Sequence, residues 1–199
     1  MWTQIDVSFL PVPDENQHDP NLGKQGWGYL PYENPDLLDW FHQIGSNHKI
    51  KTVLEIGTFA GYSATIFLEL FPYLEKITTI DPNPFSVKAG AALKEKYGDK
   101  VEFIHCGSGQ FNKQISEDDT YDLVYIDGDH ISPKPWDDIF MAKKLNPRFI
   151  LMDNVELPDV RKACKAHSIF DLKHDPQYFY YTAEHRGRRS PGIIGLFKN

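Results

Sequence analysis

Cysteine is scarce in this chain, with two in 199 residues. Cys106 and Cys164 form no C-x-x-C pair and have no histidines at zinc spacing, so neither a disulfide framework nor a structural zinc site is expected. Long apolar runs are missing too. No segment approaches the roughly 20 apolar residues that cross a bilayer, and Met1 to Leu10 lacks the basic-then-apolar order of an export signal. A reduced, cytoplasmic protein without a membrane partner is expected. Positive charge is also short: 21 Lys and Arg face 28 Asp and Glu, a net charge of -7. A nucleic acid partner is therefore not expected, because phosphate backbones are bound by clustered cations. The basic cluster His185 to Arg189 reads as a solvated loop, with a substrate gate as the alternative. No internal repeat is visible, and self-association is left open. A chain of this length buries roughly 70% of its unfolded surface as one domain.

What is present is alternation. Residues 1–33 are an irregular arm rich in Pro, Asn, Asp and Gly, whose aromatics Trp2, Phe9, Trp27, Tyr29 and Tyr32 serve either as staples or as a lid. Residues 34–199 form the domain proper. Asn34-Pro35 opens a helix with Leu37, Trp40, Phe41 and Ile44 on one face, and Gly45 is expected to end it. Strands follow at Lys51 to Ile56, Lys76 to Ile80, Val101 to His105, Tyr121 to Ile126 and Arg148 to Met152. Helices lie between them, one of them carrying Trp136, Ile139 and Phe140 after Ser132-Pro133. Such order predicts an α/β, Rossmann-like, doubly wound parallel sheet with right-handed crossovers. After the Leu157-Pro158 helix no crossover fits. Ile169 to Lys173 and Tyr178 to Thr182 read as one interrupted strand, joined to Gly192 to Phe197. The prediction is a seven-stranded mixed sheet ending in an antiparallel hairpin.

The first strand runs through Glu55-Ile56-Gly57-Thr58-Phe59-Ala60-Gly61-Tyr62-Ser63 into a helix. Gly57 and Gly61 permit positive φ and close approach of a ligand to the backbone, at the positive end of the new helix. A pyrophosphate cradle needs a third glycine that this turn lacks. Glu55 would repel phosphate yet suit an amino acid ammonium. S-adenosylmethionine has that group and no phosphate, so Glu55, Gly57, Thr58, Phe59, Gly61, Tyr62 and Ser63 are assigned to its site.

Ligands of open α/β sheets bind beyond the carboxyl ends of the strands. Asp81, with Pro82, ends the second strand where a carboxylate can hold ribose hydroxyls. Gly107 and Ser108 follow the third, where a small residue admits adenine; Ser108 reads equally as a helix N-cap. Asp127 and Asp153 end the fourth and fifth, expected to be neighbours about 4.8 Å apart. With Asn154 they make a hard oxygen set for Mg²⁺, Mn²⁺ or Ca²⁺. His130 is a base or a further ligand.

Leu54-Glu55-Ile56-Gly57 through Gly61-Tyr62-Ser63-Ala64, with Leu151-Met152-Asp153-Asn154-Val155, resembles class I S-adenosylmethionine-dependent methyltransferases, in particular the cation-dependent O-methyltransferases typified by catechol O-methyltransferase. The resemblance implies magnesium on Asp127, Asp153 and Asn154, the methionine carboxylate on Ser63 and the ribose on Asp81. It departs at His130, where the catechol enzymes carry lysine. Ile126-Asp127-Gly128-Asp129-His130 is closer to the macrocin-type sugar O-methyltransferases, which implies that His130 acts at a substrate hydroxyl and that the small hydroxylated substrate is a sugar or polyol. Rival readings are a metal-independent methyltransferase, a nucleotide-binding module without chemistry, and a nicotinamide-dependent oxidoreductase.

Overall fold

The computed structural model describes residues 4–12, 33–116, 119–169, 177–185 and 188–198. Five parallel strands form its centre: β1 (Thr52–Ile56), β2 (Lys76–Ile80), β3 (Val101–Ile104), β4 (Leu123–Ile126) and β5 (Phe149–Met152). Two long strands complete the sheet, β6 (Gln177–His185) and β7 (Arg188–Lys198), in the order β3-β2-β1-β4-β5-β7-β6. β7 is antiparallel to both β5 and β6. The expected mixed sheet and C-terminal hairpin are thus observed.

Pairing is in register at one edge. Ile56 pairs with Ile80 and Ile126, Ile80 with Ile104, and Ile126 with Met152. The next residue of each strand, Gly57, Asp81, His105, Asp127 and Asp153, therefore stands in one row along the carboxyl edge. β1 is flanked by β2 and β4, so the chain reverses its direction of sheet growth beside it, which is where such sheets open a crevice.

Helices cover both faces because the central strands are apolar on both sides. α1 (Pro35–Asn47), α2 (Tyr62–Leu70) and α3 (Ser86–Tyr97) pack on one face, with Phe41, Phe67, Leu93 and Tyr125 in their core. α4 (Ser108–Phe111), α5 (Lys134–Lys144) and α6 (Pro158–Ala166) cover the other, around Ile139, Val160 and Phe197. Cys106 and Cys164 are buried free thiols. Part of the arm joins the first core: Ile5 and Leu10 are buried there, and Phe9 meets Tyr97 edge-on at 6.0 Å with the Lys96 ammonium 4.1 Å from its ring. Trp2, Trp27, Tyr29 and Tyr32 lie outside the described residues.

Four expectations need correction. Asn34 caps α1 as read, its side chain accepting from the amides of Asp36 and Leu37, but the helix runs through Gly45 to Asn47. Gly45 is there for packing: a Cβ would come within 2.5 Å of the Phe71 ring. Phe140 is 56% exposed while Ile139 is buried, so the apolar face of α5 is turned away from Phe140. Ile169 is a buried residue of the turn after α6 rather than a strand residue, and 170–176 lie outside the described residues. The basic cluster is not all loop, because His185 and Arg188 pair as the last rung of the β6–β7 hairpin.

Gly45→Ala is expected to destabilise the fold by about 1–3 kcal/mol, the usual cost of overpacking. Chemical denaturation measures it, and a change within error would show that Phe71 has room to move.

Candidate functional site

Glu55 lies at the centre of the carboxyl edge. Its side chain leaves β1 on the α2 face and is fully buried. The Ser63 hydroxyl donates to one oxygen at 2.5 Å and the Thr79 hydroxyl to the other. Thr58 joins the same group, its Oγ1 2.5 Å from that of Thr79. Glu55 lies beneath the turn because the period of β1 points it into the sheet–helix interface. Burial pushes its carboxyl up to about 8, with the nearby charges of Asp127 and Asp81 adding to the effect against the two hydroxyl bonds.

The turn above this group is held from several sides. Gly57 has φ 102, its amide donates to Ile80 at 2.9 Å, and a Cβ would strike the Asp127 carbonyl oxygen at 2.1 Å. Only glycine fits that conformation and that approach together. Phe59, at φ 39, donates its amide to Asp81 Oδ2 at 2.7 Å, and its ring lies 5.4 Å from that of Phe85. Gly61, at φ 87, caps α2, and no side chain caps the helix in its place. Amide donors of the first turn, from Tyr62 and Ser63 onward, therefore belong to the mouth of the site. Leu10 of the arm comes within 3.2 Å of where a Cβ on Gly61 would stand, so the arm walls this turn.

Asp81 is 7% exposed and takes the Asn83 amide on Oδ1 at 2.7 Å while Oδ2 holds Phe59. Burial raises its carboxyl above the usual range in spite of those bonds. It ties the β1 turn to the β2 end. Gly107 stands beside Pro82, and a Cβ there would rest in ordinary contact with the proline ring at 3.9 Å. Ser108 is the first residue of α4 with Gly107 in the cap position, so the N-cap reading of Ser108 is corrected.

Asp127 and Asp153 follow the paired residues Ile126 and Met152 and point to the same face. Two tyrosines that the sequence analysis passed over bind them. The Tyr125 hydroxyl lies 3.2 Å from Asp127 Oδ2 and 3.3 Å from Asp153 Oδ2. Tyr181 reaches back from β6 to within 3.0 Å and 3.2 Å of the two Asp153 oxygens. Its ring fits because its partner in the hairpin is Gly192, where a Cβ would stand 2.2 Å from the ring. Burial, then the charge of Asp127, raises the Asp153 carboxyl well above the usual range. His130 Nε2 is 3.4 Å from Asp127 Oδ1. Burial opposes protonation of His130, but the Asp127 hydrogen bond and charge outweigh it and raise its pKa. Asn154, at φ 54, donates its amide to Asp153 Oδ1 at 2.7 Å, and its Nδ2 lies 3.4 Å from Glu156.

Among the described residues no group of three or more His, Cys, Asp or Glu is arranged to hold a metal. Asp127, Asp153 and the Asn154 amide remain as two carboxylates and one neutral oxygen donor. Their hard oxygen chemistry fits a divalent cation. The Asp81 carboxylate at the end of β2 likewise suits the hydroxyls of a ribose.

Residues 54–153 match a family model described as a methyltransferase domain. Tricin synthase 1 of Oryza sativa subsp. japonica is 26% identical over 137 residues, covering 63% of this chain and 54% of that protein. The match spans about half the length of that relative. An O-methyltransferase from Bacillus cereus in complex with SAH shares the fold with a TM-score of 0.63, 17% identity and coverage of 96% of this chain and 95% of that one. O-methyltransferase TomG from Streptomyces achromogenes, involved in tomaymycin synthesis and solved with SAM, gives 0.59, 21%, and 85% and 84% coverage. No helix among the described residues is long and apolar enough to cross a membrane.

The raised Glu55 carboxyl makes a stability prediction. The folded state holds this proton to about pH 8, while the unfolded chain releases it near pH 4.3. Its contribution is therefore complete below the unfolded pKa and is lost as pH rises through the folded one. Glu55→Gln, which keeps the shape without the titration, should flatten the decline in melting temperature between about pH 5 and 9. An unchanged slope would show that Glu55 does not titrate there.

Proposed function

This chain belongs to the family described as a methyltransferase domain, and from that premise we propose that it transfers the methyl group of S-adenosylmethionine to a hydroxyl oxygen of a small polyhydroxylated molecule with the help of a divalent cation. The observation that carries the hydroxyl acceptor is the cluster of Asp127, His130 and Asp153 beside the cradle, with the His130 ring 3.4 Å from Asp127. It supplies a proton acceptor and a negative pocket next to the methyl donor. The O-methyltransferase descriptions of the structural neighbours support the same reading.

When bound, S-adenosylmethionine supplies the methyl group from its sulfonium and leaves as S-adenosylhomocysteine. A divalent cation would lower the pKa of an acceptor hydroxyl. The residues of this chain do the rest. The turn from Gly57 to Ser63 holds the amino acid end, Asp81 the ribose, and Gly107 with Ser108 the base. Asp127, Asp153 and Asn154 would hold the cation. Tyr125 and Tyr181 fix the two carboxylates, so that both face one point. His130 takes the proton from the acceptor oxygen as the bond to methyl forms, and Asp127 steadies the charge that His130 gains. Orientation provides most of the acceleration, because the donor is already activated.

A second reading has a specific observation behind it. The oxygens of Asp153 already accept from tyrosine hydroxyls and from the Asn154 amide, so the acids can also serve as hydrogen-bond acceptors for a substrate without any metal. Chelation separates the two. Turnover of an accepted sugar, polyol or catechol should fall to background in EDTA and return with Mg²⁺ or Mn²⁺; full turnover after chelation assigns the acids to hydrogen bonding. Calorimetry should show S-adenosylhomocysteine binding and no NAD binding, and the reverse would remove the methyltransferase reading.

His130→Ala should lower kcat by about 10²- to 10⁴-fold, the usual weight of general base catalysis. Affinity for S-adenosylhomocysteine should stay near that of the parent. A near-parental kcat on the true acceptor removes the base role.

A further inference from the structure

The residues that follow β5 are held by a carboxylate that the proposed chemistry does not use. β5 and β7 pair as far as Met152 with Gly195, and Asn154, at φ 54, then turns the chain away from the ladder. Val155 still donates its amide to the Ile193 carbonyl at 3.1 Å. The Ile193 amide, on the same side of β7, donates to a side chain: Glu156 Oε2 takes it at 3.0 Å. The other oxygen of that carboxylate, Oε1, lies 3.4 Å from Asn154 Nδ2. One side chain therefore grips the backbone of β7 and the amide of Asn154 together. A carboxylate only accepts, so the end of the Asn154 amide beside it is the NH₂ end, and the oxygen is turned the other way.

We propose that Glu156 is a positioning residue of the cation site: by holding the Asn154 NH₂ against β7, it presents the Asn154 oxygen to the cation that Asp127 and Asp153 would share. The inference rests on the reading that Asp127, Asp153 and Asn154 hold a divalent cation. A side-chain amide has an oxygen and an NH₂ of nearly the same shape, and only the oxygen can ligate. A group that selects the orientation therefore selects whether the residue is a ligand at all. Two features agree with this role. The backbone of Asn154 is fixed on both sides, its amide donating to Asp153 Oδ1 at 2.7 Å and its carbonyl accepting from Leu157 at 3.0 Å, so the side-chain amide is the part left to orient. The preceding acid is anchored from the same hairpin, Tyr181 reaching Asp153 Oδ1 at 3.0 Å. Both residues at the end of β5 are thus set by β6 and β7.

Mn²⁺ binding to the full chain in excess S-adenosylhomocysteine, followed by the electron paramagnetic resonance signal of free Mn²⁺, tests this without turnover. Glu156→Gln keeps the size of the side chain, and its oxygen can still take the Ile193 amide, but its NH₂ then meets Asn154 and favours the reversed amide. Mn²⁺ affinity should fall by about 10- to 100-fold, the usual weight of a group that orients a metal ligand. In an Asn154→Asp background both ends of the ligand are oxygen, so Glu156→Gln should cause no weakening there. Parental Mn²⁺ affinity in Glu156→Gln would overturn the proposal. An equal loss in both backgrounds would overturn it too, because that marks a lost negative charge rather than a lost orientation. So would an Asn154→Asp chain that no longer binds Mn²⁺, since Asn154 would then not be a ligand. If Glu156→Gln does not fold, Glu156→Asp, too short to reach Asn154 and Ile193 together, takes its place in the same two backgrounds with the same criteria. A parent chain that binds no Mn²⁺ would overturn the cation reading, and this inference with it, an outcome distinct from a variant that matches a binding parent.

Discussion

Four carboxyl groups stand along one edge of a parallel sheet, and the need to keep them there in a low-dielectric setting governs the site. Glu55, Asp81 and Asp153 are buried, and Asp127 has a side chain only 19% exposed. Left ionised and unpartnered, such a row would repel itself and pull the strand ends apart. Each acid is relieved differently. Glu55 is met by two hydroxyls and keeps its proton to about pH 8. Asp81 accepts two backbone amides, Asp153 two tyrosine hydroxyls, and Asp127 faces His130. The relief is graded from proton to amide to imidazole, so the negative charge that remains lies toward Asp127 and His130, where an acceptor or a cation can use it.

The row exists because the strands end together. Since Ile56, Ile80, Ile126 and Met152 are paired across the sheet, a one-residue slip in any strand would send its acid to the opposite face. Gly57 enforces the arrangement at its tightest point, its Cα lying against the Asp127 carbonyl so that β1 and β4 cannot part without opening the turn. Packing beneath the sheet and chemistry above it are therefore one constraint. The helices contribute by filling both faces, which makes the sheet too stiff for the edge to drift.

Much of this was legible in the sequence, and what was not has a common cause. Alternating strands and helices, the hairpin and the acid at each strand end follow from local pattern. Tyr125 and Tyr181 did not, because a tyrosine in an apolar strand carries no local sign that its hydroxyl will find an acid in another strand. The bonds from Ser63 and Thr79 to Glu55 were not legible either, because its direction depends on pleat phase against α2. Gly45 was read as a helix stop, since the rule for glycine after a periodic run cannot see Phe71, 26 positions later in the chain, pressing on the helix.

The order of the chain also divides the labour within the site. Turns after β1, β2 and β3, all from the first 108 residues, make the end assigned to the cofactor. The other end is made by β4 and β5 and finished by Tyr181, which returns from β6 across β7 to reach Asp153. On the proposed reading, the donor half is set by backbone turns and glycines that tolerate little change, since Gly57 has no room even for a methyl group. The acceptor half is set by side chains, some of them on a terminal hairpin that packs at the sheet edge. A change in the hairpin can reshape the surroundings of Asp153 while leaving the β1 turn as it is, and on the same proposed reading this asymmetry would let one methyl-donor cradle serve different hydroxyl acceptors.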